Sequence, residues 1–554
     1  MSDLSPQQAF HALLDQYYHA WFRYHPEQAV HVGVAGYEEF LRAYSDDDIG
    51  ALISLNEKLI SSLDELDFYA LDAESQIDYS VLYNAAIIEL HDLLEHDWRY
   101  RRPQDFLPVD AIHQLISRPV DNLHQAFKRR LQQIPEYLRG ARAYLSQQPA
   151  LIPADWLNSA CQQAKAGVIY FRDLVRHPEV VSKFQNPARL QPLCEAAAGA
   201  MDDFLRFLEQ ELKPKATGEF ASGQHYFERL VKHNHFLDVS ADDLHAFGQS
   251  LFDSTQKQLL ELTREMRGDD DIQAVLARIR QDHPDSGADA LLTAYRASMK
   301  SAYDFITQHE LVSVPEKQML KVMETPIFLR HEIPFAAYEE PASRDESQQG
   351  YYYVTPVVSG DQMLEHNWTS IDLTCVHEAF PGHHLQFVTA NQNSSNSLPR
   401  LLNPSATLYE GWALYCEDLM LEQGYLDRPE HKFIMLRDRL WRALRVMLDV
   451  ELHTRGLSAE DAAQRMCDSL GFDLDQCRAD ISWYIQSPTV PMGYATGWAL
   501  IRAVREIESK QSDFNLKDFH NRLLSVGSCA LPLVIKRAFG DATWQEARQQ
   551  VFGR

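Results

Sequence analysis

The sequence predicts a mainly α-helical protein with one small β-sheet. Apolar residues recur at helical spacing along most of the 554 residues, whereas strand-like sequence is confined to about residues 325–359. No internal repeat and no Gly/Ser-rich or Pro-rich linker divides the chain. We therefore expect a single large helical domain over residues 1–554, which could be arranged as two lobes about a deep cleft.

The first helix is predicted over residues 6–24, where Phe10, Leu13 and Tyr17 recur at helical spacing and Ser5 stands where an N-cap would be. Similar patterns predict helices at about 48–97, 119–147, 156–176, 191–213, 241–266, 288–309, 428–455, 458–470 and 497–510. These segments account for the predicted fold class.

Two further helix starts and two interruptions can also be read from the sequence. Asp155 and Ser240 stand where N-caps are expected, and Ser240 with Asp243 three residues later resembles a capping box. The helical pattern lapses around 105–115 and 176–190, where we expect Pro-containing connections.

The predicted strands lie at 325–330 and 351–358, which are rich in β-branched and aromatic residues. Between them, residues 341–350 form a polar segment that we expect to be a loop. These strands are the basis for the expected small sheet.

Composition excludes several classes of partner. The chain has 52 basic and 79 acidic residues and a net charge of −27, which argues against binding to nucleic acid or to an anionic membrane. No apolar stretch approaches 18 residues, and the N-terminus lacks the basic start and apolar run of a signal peptide. Seven Cys without a Cys-x-x-Cys motif indicate reduced thiols. We therefore expect a cytoplasmic protein.

Residues 377–386, His-Glu-Ala-Phe-Pro-Gly-His-His-Leu-Gln, are the most informative segment for function. His377-Glu378 matches the first half of the zinc-peptidase signature His-Glu-x-x-His, but Pro381 occupies the position of the second His. The next imidazoles belong to His383 and His384. The segment is therefore either a stretched zinc site or an ordinary polar helix surface.

An uninterrupted helix could not bind one ion through these residues. A step of six residues leaves two side chains roughly 120° apart, and a step of seven separates them by roughly 10 Å along the axis. Pro381 and Gly382 permit a break, because proline lacks a backbone donor and glycine adopts unusual dihedrals. A break there would let an imidazole return toward His377.

A third ligand is expected from the helix predicted at 405–424. Glu410 lies within an apolar stretch, which is a costly position for a carboxylate unless it is paired or bound to a metal. Glu417, seven residues later on a similar face, has more acidic neighbours and fits a solvated or second-shell group.

Taken together, His-Glu-x-x-Pro-Gly-His-His-x-Gln and the later Glu-Gly-Trp-Ala-x-Tyr resemble a bacterial family catalogued as domain of unknown function 885. That family is grouped with gluzincin-type metallopeptidases, whose relatives by fold include angiotensin-converting enzyme and thermostable carboxypeptidases. The resemblance extends over most of the chain and includes segments 338–342, 350–356, 449–456 and 483–497. Thr489-Val490 and Glu451 depart from the family pattern.

The resemblance implies that zinc binds His377, His383 and Glu410 within a core of about residues 370–500. It implies Glu378 as the general base. His383 is preferred over His384 because the family keeps the His that directly follows Pro-Gly.

The resemblance also points to residues that would act on a substrate. Tyr494 stands where relatives by fold place a phenol that stabilises the oxyanion, and Tyr484 where they place a substrate-facing polar group; packing in the core is the alternative for both. His453 is a candidate second-shell or substrate-binding residue that Asp449 could orient. Arg442 and Arg445, on the helix with Asp449, are candidates for a cation that binds a substrate's terminal carboxylate; an ordinary exposed helix face is the alternative for both.

The predicted function is that of a zinc-dependent metallopeptidase acting on short peptides, of carboxypeptidase or dipeptidase type. A strand beside the zinc helix would bind extended peptide through its backbone. Two alternatives stay open. One is a zinc hydrolase of a non-peptide amide or acyl-amino-acid, and the other is a metal-free binding or scaffold protein.

Overall fold

The computed structural model describes residues 4–285, 287–330, 333, 335–357, 360–393 and 396–553. The prediction of a mainly helical chain with a small sheet is confirmed. The described residues separate into two compact units, and the predicted metal-site core lies in the second of them. No helix of the described residues is both long enough and apolar enough to cross a bilayer.

The first unit comprises Met1–Phe220 with two short later segments, Pro326–Glu332 and Ala342–Glu346. Its core is formed mainly by apolar residues of helices α5 to α9, including fully buried Phe127 and Phe171, together with Phe106 just before α5. Its helices are α1 Pro6–Trp21, α2 Pro26–Val32, α3 Asp46–Asp64, α4 Ala73–Glu95, α5 Val109–Ser117, α6 Leu123–Leu145, α7 Ala154–Asp173, α8 Pro178–Lys183 and α9 Gln191–Phe207.

The second unit comprises the remaining described residues from Ala221 onward and contains the sheet. Helix α11 packs along α19, and α18 packs along α22. Its helices are α10 Gln224–His233, α11 Ala241–Arg267, α12 Ile272–Arg280, α13 Ala288–Gln308, α14 Gly360–Glu365, α15 Trp368–Glu378, α16 His383–Gln392, α17 Leu398–Leu402, α18 Ala406–Glu422, α19 Pro429–Thr454, α20 Ala459–Leu470, α21 Leu474–Tyr484, α22 Gly493–Glu508, α23 Leu516–Leu524, α24 Leu531–Phe539 and α25 Asp541–Phe552.

The sheet contains β1 Met319–Glu324, β2 Ala336–Glu339 and β3 Gln349–Val354 in the order β1-β3-β2. Strand β3 is parallel to β1 and antiparallel to β2. The strand predicted at 325–330 is wrong: Pro326 is followed by a 3₁₀ turn at Ile327–Leu329, because proline cannot donate to a strand ladder. The strand predicted at 351–358 corresponds to β3, which ends at Val354. The last residue of the predicted span, residue 358, lies outside the described residues.

Several predicted helix boundaries need correction. The span 48–97 contains two helices, because Asp72 caps a second start by accepting the N–H of Ser75. Helices α5 and α8 occupy the stretches predicted as connections, since Pro108 and Pro178 stand at helix starts rather than in loops. Asp155 lies inside the first turn of α7 and is not its cap. The predicted caps Ser5 and Ser240 are confirmed, both with capping boxes.

Candidate metal centre

The break predicted at Pro-Gly is present between α15 and α16. Helix α15 ends at Glu378, and α16 begins at His383. The N–H of Gly382 donates to the carbonyl of Val376 at 3.0 Å, so the chain turns back over the end of α15. A Cβ at Gly382 would lie 1.7 Å from the carbonyl oxygen of His377, and only glycine permits this approach. The turn brings the imidazole of His383 to 4.9 Å from that of His377, measured between ring centroids.

His377, His383 and Glu410 form a compact cluster. Their ligand atoms all lie within 4.8 Å of one another. Glu410 Oε2 is 3.5 Å from His377 Nε2 and 3.3 Å from His383 Nε2. Ligands about 2.0–2.1 Å from a tetrahedral zinc ion are separated by roughly 3.3–3.4 Å, so these spacings suit that ion. Glu410 Oε2 is buried and makes no hydrogen bond of normal geometry with the described residues, which is the condition of a carboxylate oxygen available to a cation.

Glu417 orients the first of these imidazoles. Its Oε1 lies 2.8 Å from His377 Nδ1. A carboxylate can only accept, so Nδ1 carries a proton and Nε2 points toward Glu410 and His383. Burial opposes a charge on His377, but hydrogen bonds to Glu410 and Glu417 outweigh it and raise its pKa to about 10. Glu417 is itself buried, so it is not a solvated group, and it contacts the cluster through His377.

Charge on Glu410 is favoured by the two imidazoles. Burial alone would raise the pKa of Glu410, but the charges of His383 and His377 and the contacts with them hold it well below its usual range. The anionic carboxylate is the form that binds metal.

Glu378 directly follows the first imidazole and makes no hydrogen bond with the described residues. Burial raises the pKa of its carboxyl group, while the positive charges of His377, His383 and Arg442 act in the opposite direction. A carboxyl group with a raised pKa is suited to exchange a proton near neutral pH.

His384 does not join the cluster. Its Nδ1 lies 3.1 Å from the hydroxyl of Tyr338 on β2, and its Nε2 lies 3.0 Å from Gln318 Oε1. The side chain is fully buried, and burial lowers its pKa to about 3. His384 therefore fastens α16 to β2 and to the segment before β1, while His383 faces Glu410.

Two glycines set the distance between α18 and α22. A Cβ at Gly411 would lie 2.5 Å from the carbonyl carbon of Gly497, and one at Gly497 would lie 1.9 Å from the carbonyl oxygen of Thr407. This close crossing places Glu410, next to Gly411, within hydrogen-bonding reach of Tyr494, one turn before Gly497.

Trp412 fixes the same helix to the turn before His383. Its Nε1 donates to the carbonyl of Pro381 at 2.8 Å, and the side chain is completely buried. The helix that carries Glu410 is thus tied to the turn that presents His383. The glycines and Trp412 explain physically why Glu-Gly-Trp-Ala accompanies the histidine motif in this chain.

Comparison with known proteins gives a family that covers most of the chain. A family model described as "Bacterial protein of unknown function (DUF885)" matches residues 26–537. The chain belongs to this family. No curated protein matches it.

Two solved structures have the same fold as this DUF885 protein. One is from Shewanella oneidensis, with a TM-score of 0.76 and 22% identity over 96% of this chain and 99% of the other. The second is from Colwellia psychrerythraea, with a TM-score of 0.80 and 19% identity over 99% of this chain and all of the other. Each is described as a "putative lipoprotein", so the cytoplasmic location of the present protein stays a prediction.

In this DUF885 chain, Tyr494 lies beside the candidate metal cluster. Burial raises the pKa of its phenol, and the negative charge of Glu410 raises it further. The guanidinium carbon of Arg445 lies 4.6 Å from the centre of the Tyr494 ring. The structure therefore brings Tyr494 together with the three candidate ligands, as its predicted role requires.

Tyr484 and His453 are placed differently. The Tyr484 hydroxyl is buried and accepts hydrogen bonds from Trp441 Nε1 at 3.1 Å and Arg445 Nε at 2.7 Å. His453 Nε2 donates to the carbonyl of Tyr484 at 3.1 Å, while its Nδ1 accepts the N–H of Ser222. Burial lowers the pKa of His453 to about 4, so its ring is neutral. Both residues support Arg445 from within the core.

Asp449 holds the segment that departs from the family pattern. It accepts the N–H groups of Thr489 at 3.2 Å and Met492 at 3.1 Å, whereas its carboxylate is 3.9 Å from His453 Nε2. Thr489 has a φ of 69°, and its hydroxyl lies 3.0 Å from His235 Nε2. Asp449 therefore fixes the turn that leads to Tyr494, rather than orienting His453.

Proposed function

We propose that this protein is a zinc-dependent hydrolase, a gluzincin-type metallopeptidase that acts on short peptides. The observation that carries the proposal is the cluster of His377, His383 and Glu410 with Glu378 beside it. A bound zinc ion would supply Lewis acidity, which lowers the pKa of a water molecule and polarises a carbonyl group.

The chain's own residues would perform the remaining steps. Glu378 would accept the proton of the attacking water and pass it to the departing amine, so that water adds across the amide bond. The Tyr494 phenol would donate to the carbonyl oxygen as that oxygen gains negative charge.

The small sheet supports a peptide as the substrate. Strand β2 is an outer strand of the described three-stranded sheet. Its Tyr338 lies nearly parallel to the His383 ring, with centroids 6.4 Å apart, and contacts His384. An extended peptide bound alongside β2 would lie next to the candidate ligands.

The first prediction concerns metal content. We expect about one zinc per chain in the purified protein, measured by plasma mass spectrometry, because three ligands with an open position suit this ion. His383→Ala should remove most of it, since one ligand is lost. His384→Ala is the matched control: it should retain zinc, although its lost hydrogen bonds lower stability. Zinc loss in His384→Ala with retention in His383→Ala would reverse the ligand assignment.

The second prediction concerns the base. Glu378→Gln should keep zinc and fold but lower turnover by about 10²–10⁴-fold, because it removes proton transfer without removing a ligand. A peptide-library digest read by mass spectrometry supplies the measurement, and a parallel set of acyl-amino-acids tests the alternative substrate class. Full turnover in the zinc-loaded variant would rule out Glu378 as the base.

A further inference from the structure

Arg445 is a buried cation held within an aromatic frame. It lies on α19 and is 6% exposed. Its guanidinium carbon lies 4.1 Å from the ring centre of Trp441 and 4.6 Å from that of Tyr494. Its Nε donates to the Tyr484 hydroxyl at 2.7 Å. Because Nε is occupied by this bond, the guanidinium is held in one orientation with both terminal nitrogens directed elsewhere.

Those terminal nitrogens have no hydrogen-bond acceptor among the described residues. Among the described residues, the Nη atoms of Arg445 donate no hydrogen bond, and Arg445 forms no ion pair. Asp480 is the acid whose charge acts on it, but Asp480 Oδ2 is buried and also lacks a hydrogen bond. A buried charge without a hydrogen-bonded anion is costly in a folded protein. The anion that best fits two parallel N–H groups is a planar carboxylate.

The position of Arg445 relates this anion to the reaction. Its guanidinium lies against the Tyr494 ring, and the hydroxyl of that ring is within hydrogen-bonding reach of Glu410. That path spans at most about 11 Å, whereas an extended peptide advances about 3.3–3.6 Å per residue. A carboxylate on Arg445 would therefore be one to three residues from the bond at the metal cluster.

We propose that Arg445 binds the free C-terminal carboxylate of the substrate, so that the protein removes one to three residues from the C-terminus of a peptide or cleaves an acyl-amino-acid. This assignment rests on the proposed hydrolase function and specifies its substrate class. Tyr484 is a positioning residue for Arg445. His453 in turn holds Tyr484 by donating a hydrogen bond to the backbone carbonyl of Tyr484. The nearby Asp480 and the net charge of −27 disfavour a dianion such as phosphate at this place.

The test uses one N-acetylated tetrapeptide library prepared twice, with a free C-terminal carboxylate and with a carboxamide. In the zinc-loaded protein, cleavage of the acid library should exceed that of the amide library about 10–100-fold, since hydrogen bonds to a charged group supply that factor. A second readout needs no turnover: immobilised Glu378→Gln is offered both libraries in equal amounts, and the recovered peptides are counted by mass spectrometry.

Arg445→Met should reduce the ratio of acid-library to amide-library cleavage to near one. Arg445→Lys should reduce this ratio only partly, because lysine keeps the charge but not the planar fork. Tyr484→Phe should reduce it through the Michaelis constant more than through turnover. Arg437→Met is the matched control, since Arg437 lies on the same helix and pairs with Asp438; it should keep the ratio.

Equal cleavage and equal recovery of the two libraries would overturn the carboxylate assignment while leaving the hydrolase intact. An acid preference that survives Arg445→Met would do the same. Selective recovery of the peptides with a free C-terminal carboxylate, without any cleavage, would support the carboxylate site and contradict the proposed hydrolase function. No recovery and no cleavage would contradict both.

Discussion

Tyr494 is the residue at which the candidate metal cluster and the arginine site meet. Its hydroxyl is within hydrogen-bonding reach of Glu410, and its ring lies against Arg445. The residue could therefore act in two ways, through the hydroxyl on a reacting oxygen or through the ring on the guanidinium. Removing the hydroxyl alone separates these two effects.

We expect Tyr494→Phe to lower turnover by about 10²–10³-fold with little change in the Michaelis constant. The phenol would meet negative charge only in the transition state, and the retained ring keeps the contact with Arg445. Steady-state kinetics on a cleaved library peptide, with zinc content measured alongside, provide the check. Near-normal turnover would return Tyr494 to a packing role.

At the residue scale, local spacing was informative because ligand geometry is short-ranged. The break at Pro381-Gly382 and the isolated Glu410 could be predicted, since each depends on a few neighbouring residues. The hydrogen bond that His377 donates to Glu417 could be suggested only by the seven-residue spacing of Glu417 from Glu410. The free terminal nitrogens of Arg445 could not be predicted, because they depend on what α21 and α22 bring near it.

At the element scale, the crossing of α18 and α22 controls the site. The helices approach through Gly411 and Gly497, with a Cβ at Gly497 only 1.9 Å from a backbone oxygen. Backbone cannot yield as a flexible side chain can, so any side chain there must separate the helices. The distance between Glu410 and Tyr494 depends on this approach.

We therefore expect Gly497→Ala to destabilise the protein by at least about 1–3 kcal/mol, as overpacked positions do, and to lower turnover as well. Urea unfolding and kinetics measure the two effects. Gly199→Ala on α9 is the control: a Cβ there would meet nothing within 4 Å, so replacement should raise stability by about 0.5–1 kcal/mol. Unchanged stability and turnover in Gly497→Ala would mean that the crossing tolerates a side chain.

At the scale of the whole molecule, several histidines are buried without charge. Burial lowers the pKa values of His235, His453 and His520 to about 4. His520 is typical: its Nδ1 donates to the carbonyl of Leu311, and its Nε2 lies 2.7 Å from the Tyr415 hydroxyl. In the unfolded chain a histidine has a pKa of about 6.5.

These lowered pKa values predict loss of stability in acid. Above about pH 6.5 these histidines are neutral in both the folded and the unfolded protein, so they do not lower the free energy of unfolding. Between about pH 6.5 and pH 4 the unfolded chain binds more protons, and each histidine can cost up to about 3 kcal/mol. Urea unfolding across this range should show a falling free energy of unfolding, and His520→Gln should reduce the slope. His225→Gln, at an exposed position, should leave the slope unchanged, whereas an unchanged slope in His520→Gln would contradict the assignment.

The helical fold class, the N-cap at Ser5, the capping box at Ser240 and the candidate metal-ligand motif could be read from the sequence alone. Each rests on periodicity or on contacts within about seven residues, where chain geometry is nearly independent of the rest of the molecule. The tertiary structure decided the remainder: the parallel pairing of β1 with β3, the glycine crossing beside Glu410, and the support of Arg445 by Tyr484 and His453. These depend on contacts between residues far apart in the chain, and packing of the whole unit selects them.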